Sequence, residues 1–213
     1  MIGAAEKVYS SANSKIWIRK VPGHFAMTNS HANYYVDILE AKLNQSMAQE
    51  AASVLAANYT YNKVIDAIFC MDGCEVIGAF LAQELSRNEM FSVNGQENIY
   101  VVTPENEKSR QMILRDNVQP MVRDKCVLIL AGSVLTGKNV RKAMECLNYY
   151  GARPAGIAAV FSIVNQVAGL PLISLFSQAD IPDYCATENY DCPACRAGEK
   201  IDALANCYGY SVL

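Results

Sequence analysis

The sequence predicts an α/β domain built on a mainly parallel sheet. Short apolar runs of strand length alternate with segments of helical periodicity along most of its 213 residues. Hydrophobic residues make up 52% of the chain against 18% charged, which is enough for a sizeable core. Turn residues follow the strand-like runs, most visibly after "CVLIL" at 126–130.

In chain order, residues 1–20 mix polar and apolar positions and read as a leading helix and a short strand. Residues 21–43 read as a turn, an extended segment and a helix start. Leu43, Met47, Ala51, Val54 and Leu55 recur at helical spacing over 43–58. "VIDAIFCM" (64–71) is a buried-strand run and "EVIGAFLAQEL" (75–85) a helix. "NIYVVT" (98–103) is the next strand. Residues 104–124 are polar and turn-rich, a mobile loop or a hairpin. "CVLIL" is a strand, and "NVRKAMECLNYYG" (139–151) a helix with Gly151 as its C-cap. "GIAAVFSIV" (156–164) and "LPLISLF" (170–176) complete the set. Ligands of such sheets bind at the carboxyl ends of strands, which directs attention to the loops after 71, 103, 130 and 164.

Several classes are excluded early. A net charge of −3 and the lack of a basic stripe argue against a nucleic-acid partner. No apolar run reaches the roughly 18 residues of a membrane span. The opening "MIGAAEKVYSSANSK" has early charge and no apolar h-region, so a cytoplasmic location is expected. The eight cysteines then read as thiols or ligands rather than disulfides. Cys126 and Cys146 are expected in the core.

Residues 126–140, "CVLILAGSVLTGKNV", have the strand–turn–helix form of a phosphate cradle. Gly132-x-x-x-x-Gly137-Lys138 follows a nucleotide-hydrolase P-loop, but Asn139 stands where that loop needs a metal-binding hydroxyl, and no acidic strand end follows. The same residues are similar to the phosphoribosyl-diphosphate loop of type I phosphoribosyltransferases. There Leu135, Thr136, Gly137, Lys138 and Asn139 form the phosphate loop, held by backbone amides and a helix N-terminus. That family places two carboxylates before the loop for the ribose hydroxyls. Here those positions are Ala131 and Gly132. Hydrogen bonds to a charged group contribute roughly 1.5–3 kcal/mol each, so losing two implies an affinity deficit on the order of 10²–10⁴.

Further segments resemble the orotate phosphoribosyltransferases. "GHFAMTNSHANYYVD" (23–37) is similar to the stretch that meets base and pyrophosphate, with Phe25, His31, Tyr35 and Asp37 matching. Residues 64–85 resemble a strand, a glycine-rich pyrophosphate turn and a helix, but the turn reads Asp72-Gly73-Cys74-Glu75. "QMILRDNV" places Arg115 at a loop arginine, and "YDCPACRAGEKIDAL" (190–204) matches the Cys-Pro-x-Cys tail of one bacterial branch. Gln166 stands in place of an arginine that binds the orotate carboxylate, and a neutral amide does not replace a bidentate cation.

The resemblance implies a type I phosphoribosyltransferase fold in one domain. A core at about 41–177 would hold a mostly parallel five-stranded sheet flanked by helices, and 1–40 with 178–213 would form a small hood. It implies transfer of 5-phosphoribosyl from its diphosphate to a pyrimidine base, with Mg²⁺ and a shared-site homodimer. Lys108, Arg110 and Arg115 would supply the cation for the leaving pyrophosphate. The departures favour impaired or altered catalysis. The alternative is a non-catalytic relative that binds a phosphate-bearing or nucleotide-like ligand.

Each residue also has a plainer reading. Lys138 is a phosphate contact or a solvated helix-start residue. Asp72 and Glu75 bind a metal or cation, or are simply solvated. Tyr34 and Tyr35 pack, or stack on a base together with Gln166. Lys108, Arg110 and Arg115 close over an anion or belong to an ordinary surface. His24 and His31 read as hydrogen-bonded loop histidines before catalysts. Cys192 and Cys195 have zinc-ligand spacing, which Cys185 and Cys207 would complete to four thiolates. A structural tail packed on the domain is the preferred reading there.

Overall fold

The computed structural model describes residues 2–87, 92–95, 97–106 and 111–213. The elements run β1 (Glu6–Tyr9), β2 (Trp17–Ala26), β3 (Ser30–Asp37), α1 (Leu39–Leu43), α2 (Gln45–Ala56), β4 (Ala67–Cys70), α3 (Glu75–Leu85) and β5 (Tyr100–Val102). A small hairpin follows, β6 (Glu105–Asn106) with β7 (Met112–Ile113). Then come β8 (Cys126–Val134), α4 (Lys138–Tyr149), β9 (Arg153–Ser162), β10 (Gln166–Val167) and β11 (Leu170–Ser177). The tail holds β12 (Ala186–Glu188), α5 (Pro193–Arg196), β13 (Ala203–Asn206) and β14 (Gly209–Val212).

The main sheet has the order β10-β11-β9-β8-β4-β5. β11, β9, β8, β4 and β5 pair in parallel, and β10 adds an antiparallel edge through a hairpin. The chain winds outward from β4 to β5, then returns to β8 on the other side. The β4/β8 boundary is therefore the topological switch point, where ligands of open α/β sheets bind.

Strand alternation divides the core into two layers. Ile68, Cys70, Leu128 and Leu130 face α2 and α3, in a layer that includes Met47, Leu55, Ile77 and Leu81. Ala67, Phe69, Val127, Ile129 and Ala131 face α4, packing with Val140, Ala143 and Leu147. Both layers cover the central strands, which is why those strands read as continuous apolar runs.

The N-terminal expectation needs correction. Residues 6–9 and 17–26 form antiparallel strands, not a leading helix. β2 and β3 then join β12, β13 and β14 in a second sheet, whose pairing partners lie some 150 residues away in sequence and are invisible to local pattern. The helix expected over 43–58 is α2, at Gln45–Ala56, with Leu43 left outside it. Leu43 ends α1 in an exposed position, and the Asn44 side chain caps α2 by accepting from the Met47 amide at 3.2 Å.

α3 lies close on the sheet at Gly78. A Cβ there would sit 2.4 Å from Cys70 Sγ and 3.2 Å from Val101 Cγ1. Gly78→Ala is expected to destabilise the protein by about 1–3 kcal/mol through overpacking, read from the urea midpoint at unchanged m. Adding Cys70→Ala should recover part of that loss. Strictly additive effects would count against this contact.

Candidate functional site

β8 continues four residues past Leu130, so Gly132 lies inside a strand and only Leu135-Thr136-Gly137 connect it to α4. A P-loop needs both of its glycines in the loop, and this geometry removes that reading. Gly137 has φ +72°, and a Cβ on it would meet the Val167 methyl carbons at 3.0 and 3.2 Å. Both the backbone conformation and β10 therefore require glycine. Beyond it, α4 presents first-turn amides that have no intrahelical partner.

This loop forms one wall of a cleft of ≈ 240 Å³. Ser133 through Val140 line it on the core side, with Asp72 from the neighbouring loop. Residues 27–30, Tyr34 and Tyr35 line the hood side, and Ala205, Asn206 and Cys207 come from the tail. Leu135, Thr136, Gly137, Lys138 and Asn139 thus all face one space. The volume lies below the ~300–1,000 Å³ usual for drug-sized ligands and suits a small phosphorylated body.

Ala131 and Gly132 separate by strand alternation. Ala131 is 1% exposed and sits in the apolar layer under α4. Gly132 turns to the opposite side, where a Cβ would meet Ile38 Cδ1 at 3.0 Å, Asp72 Cβ at 3.1 Å and Asp72 Oδ2 at 3.6 Å. A carboxylate therefore occupies the space beside position 132 after all, but it belongs to Asp72. Its Oδ2 accepts from the Gly132 amide at 3.2 Å, and the Ser133 amide is a second donor.

The turn after β4 shapes this arrangement. Asp72 (φ +58°) and Gly73 (φ +75°) are successive left-handed residues, an unusual conformation for aspartate that its partners must hold in place. The Asp72 carbonyl accepts from Lys42 Nζ at 2.6 Å, and the same ammonium donates to the Cys207 carbonyl at 2.7 Å. Lys42 is 1% exposed, a buried charge that ties helix, turn and tail together. Sequence reading passed over it, although a lysine one residue after Ala41 on a buried helical face was a visible signal. Cys74 is buried at the start of α3 with its thiol pushed up by burial, and Glu75 accepts from the Thr103 hydroxyl at 3.1 Å.

The other expected residues are distributed unevenly. Lys138 lines the cleft but pairs with Glu188 of β12 at 2.6 Å, holding that carboxyl below its usual range. The Tyr34 hydroxyl donates to the Asp183 carboxylate, which raises the phenol. Tyr35 is buried, with its hydroxyl donating to Asn206 O at 3.4 Å. Gln166 is exposed in the β10–β11 hairpin and is not part of the cleft lining. Arg115 bonds Glu105 through Nε at 2.9 Å and Nη2 at 2.6 Å, away from the lining. Lys108 and Arg110 lie outside the described residues. Cys192 and Cys195 lie beside His24 and His31 of β2 and β3, whereas Cys207 lines the cleft. Cys185 and Cys207 are not part of that group.

Mg²⁺ is usually held by one or two carboxylates together with substrate phosphates and waters. Among the described lining residues Asp72 supplies one carboxylate, whose Oδ2 accepts from the Gly132 amide.

Burial raises the Asp72 carboxyl above its ordinary range, against the Gly132 and Ser133 amides and the Lys42 ammonium. A carboxyl raised in the folded state holds its proton more tightly there than when unfolded. Its ionised form therefore subtracts from stability near neutrality, and the loss fades as pH falls through the folded pKa. Asp72→Asn should gain stability relative to the parent near neutral pH. That gain should shrink as pH falls from neutrality towards the ordinary aspartate range. Urea midpoints of the two proteins across this window provide the check.

No family model matches the chain, and no curated protein does. Solved structures do. Adenine phosphoribosyltransferase from Trypanosoma brucei, in complex with AMP, pyrophosphate and ribose-5-phosphate, superposes with TM-score 0.51 at 13% identity, covering 88% of this chain and 79% of that one. The adenine enzyme from Thermoanaerobacter pseudethanolicus gives 0.50 at 14% identity, over 81% of this chain and 95% of that one. UMP synthase from Leishmania donovani gives 0.50 at 14% identity, over 71% of this chain and 32% of that one. The chain has an α/β fold resembling that of the phosphoribosyltransferases.

Proposed function

We propose that the cleft binds a 5-phosphoribosyl compound and that the protein is an orotate phosphoribosyltransferase-like protein with impaired or altered transfer to a pyrimidine base. One observation carries the reading. The loop 135–139, the Asp72 carboxylate and the hood tyrosines all line a single cleft at the switch point of the sheet.

In this reading the 5′-phosphate sits on the loop amides and the N-terminus of α4, with Thr136 and Lys138 beside it. The ribose hydroxyls donate to Asp72, which stands in for the acid lost at 132. The base lies towards Tyr34 and Tyr35. Among the described lining residues Lys138 is the cation available to a leaving pyrophosphate, and Glu188 already pairs with it. Lys42 is taken up by two carbonyls. Transfer through an oxocarbenium-like state depends on such placed charge, so slow chemistry is expected.

The same commitment of cations favours a second reading, a non-catalytic protein that senses a phosphate-bearing ligand or presents it to a partner. Calorimetry and a pyrophosphate-release assay separate the readings. Phosphoribosyl diphosphate and ribose 5-phosphate should bind while ATP does not, with turnover on orotate or other bases well below about 1 s⁻¹. Turnover of about 1–10³ s⁻¹ would establish full catalysis and overturn the impaired reading. Binding of ATP alone would overturn the phosphoribosyl assignment. Gly137→Ala should weaken ribose 5-phosphate at least about tenfold, or roughly 1.4 kcal/mol, while circular dichroism stays unchanged.

A further inference from the structure

The hood holds a second constellation, outside the cleft. His24 Nε2 lies 3.1 Å from His31 Nδ1 and 3.4 Å from Cys192 Sγ. Cys195 Sγ lies 3.6 Å from His24 Nε2 and 3.2 Å from His31 Nδ1. All four ligand atoms fall within 4.8 Å of one another. We propose that these four side chains form a closed structural zinc site.

The spacing supports a tetrahedral ion. Zinc with Zn–S near ~2.3 Å and Zn–N near ~2.0–2.1 Å holds its ligand atoms roughly 3.3–3.8 Å apart, within a few tenths of the four distances given above. The surroundings orient the ligands. A carbonyl only accepts, so the Lys200 carbonyl 3.1 Å from His24 Nδ1 requires the proton on Nδ1. That leaves Nε2, the atom facing the cluster, with its lone pair available, the second-shell arrangement typical of zinc histidines. Cys192 Sγ receives hydrogen bonds from the Ala194 and Cys195 amides and from the Thr187 hydroxyl. This is a turn shaped to hold a thiolate at the start of α5.

Charge supports the same choice. Two thiolates and two neutral imidazoles neutralise a divalent ion, and two thiol protons pass to solvent on binding. An N₂S₂ set with no open position selects zinc in a structural role over a catalytic metal. The site joins the β2–β3 hairpin, which supplies His24 and His31, to the tail turn at 192–195. The tail segment beyond it carries Asn206 and Cys207 to the cleft. The ion would thus brace one cleft wall without touching the ligand.

The test is metal analysis of the full chain, purified and reconstituted with one equivalent of zinc. One tightly held zinc per chain is expected. Cobalt(II) in its place should give intense tetrahedral d–d bands and a thiolate charge-transfer band. A strong chelator should lower Tm by about 5 °C or more. Cys192→Ser with Cys195→Ser, and His31→Ala, should abolish stoichiometric binding, while Cys185→Ser and Cys207→Ser keep one zinc. Should the ligand variants fail to fold, mercurial titration of the unmodified protein should release one zinc per chain as its thiols react. No retained zinc together with no thiolate–cobalt band would overturn the proposal. Equal loss in the Cys185 and Cys207 variants would do the same. None of these readouts depends on phosphoribosyl binding, so the outcome stands apart from that of the cleft.

Discussion

The constraint on which the site depends is the pleat of β8. A strand turns successive side chains to opposite faces, and β8 keeps its ladder with β9 through Val134. Positions 131 and 132 therefore cannot both address one ligand. Ala131 completes the apolar layer beneath α4, where a carboxylate would be buried without a partner. Gly132 opens towards the cleft, and the space it leaves is taken by Asp72. Two neighbouring small residues that look alike in sequence have different physical roles. Ala131 extends the core, and Gly132 leaves room for the Asp72 carboxylate.

Asp72 holds its position at a cost. It combines a left-handed backbone with a buried carboxyl, and each feature alone is unfavourable. Lys42 offsets both. Its ammonium holds the Asp72 carbonyl and adds opposite charge nearby, while its second bond reaches the Cys207 carbonyl. A buried ammonium is itself expensive unless hydrogen-bonded, so Lys42 depends on the two backbone carbonyls that hold it. The tail is fastened at this end through Cys207, at Glu188 through Lys138, and at 192–195 beside the two histidines. The cleft is the gap between two sheets joined by those fastenings.

The main sheet was legible because its signal is local. β4, β8, β9 and β11 are apolar runs bounded by turn residues, and α3 and α4 have clear helical patterns, so length and composition were enough. The strand–turn–helix form of 126–149 was legible for the same reason, since a strand, a short turn with Gly137 and a helix follow one another directly. The first 26 residues were not. β1 and β2 carry Glu6, Lys7, Arg19 and Lys20 among their apolar positions and pair with strands from both ends of the chain. Asn44 breaks a periodicity that otherwise runs on, because a cap looks like any polar residue until the helix axis is known. Gln166 stood at a base-contacting position by resemblance, yet the turn at Ala168-Gly169 makes a tight hairpin that leaves it exposed.

By itself the sequence determined that this chain would build a buried parallel sheet with a glycine-containing strand–turn–helix loop after β8, because hydrophobic period and turn chemistry act over a few residues. Tertiary structure decided which side chains meet. It placed Asp72 beside Gly132, sealed Lys42 between a turn and a tail, and brought His24 and His31 to the cysteines of a segment more than 160 residues away. Those contacts depend on strand parity and on the packing of distant segments, which no local pattern encodes.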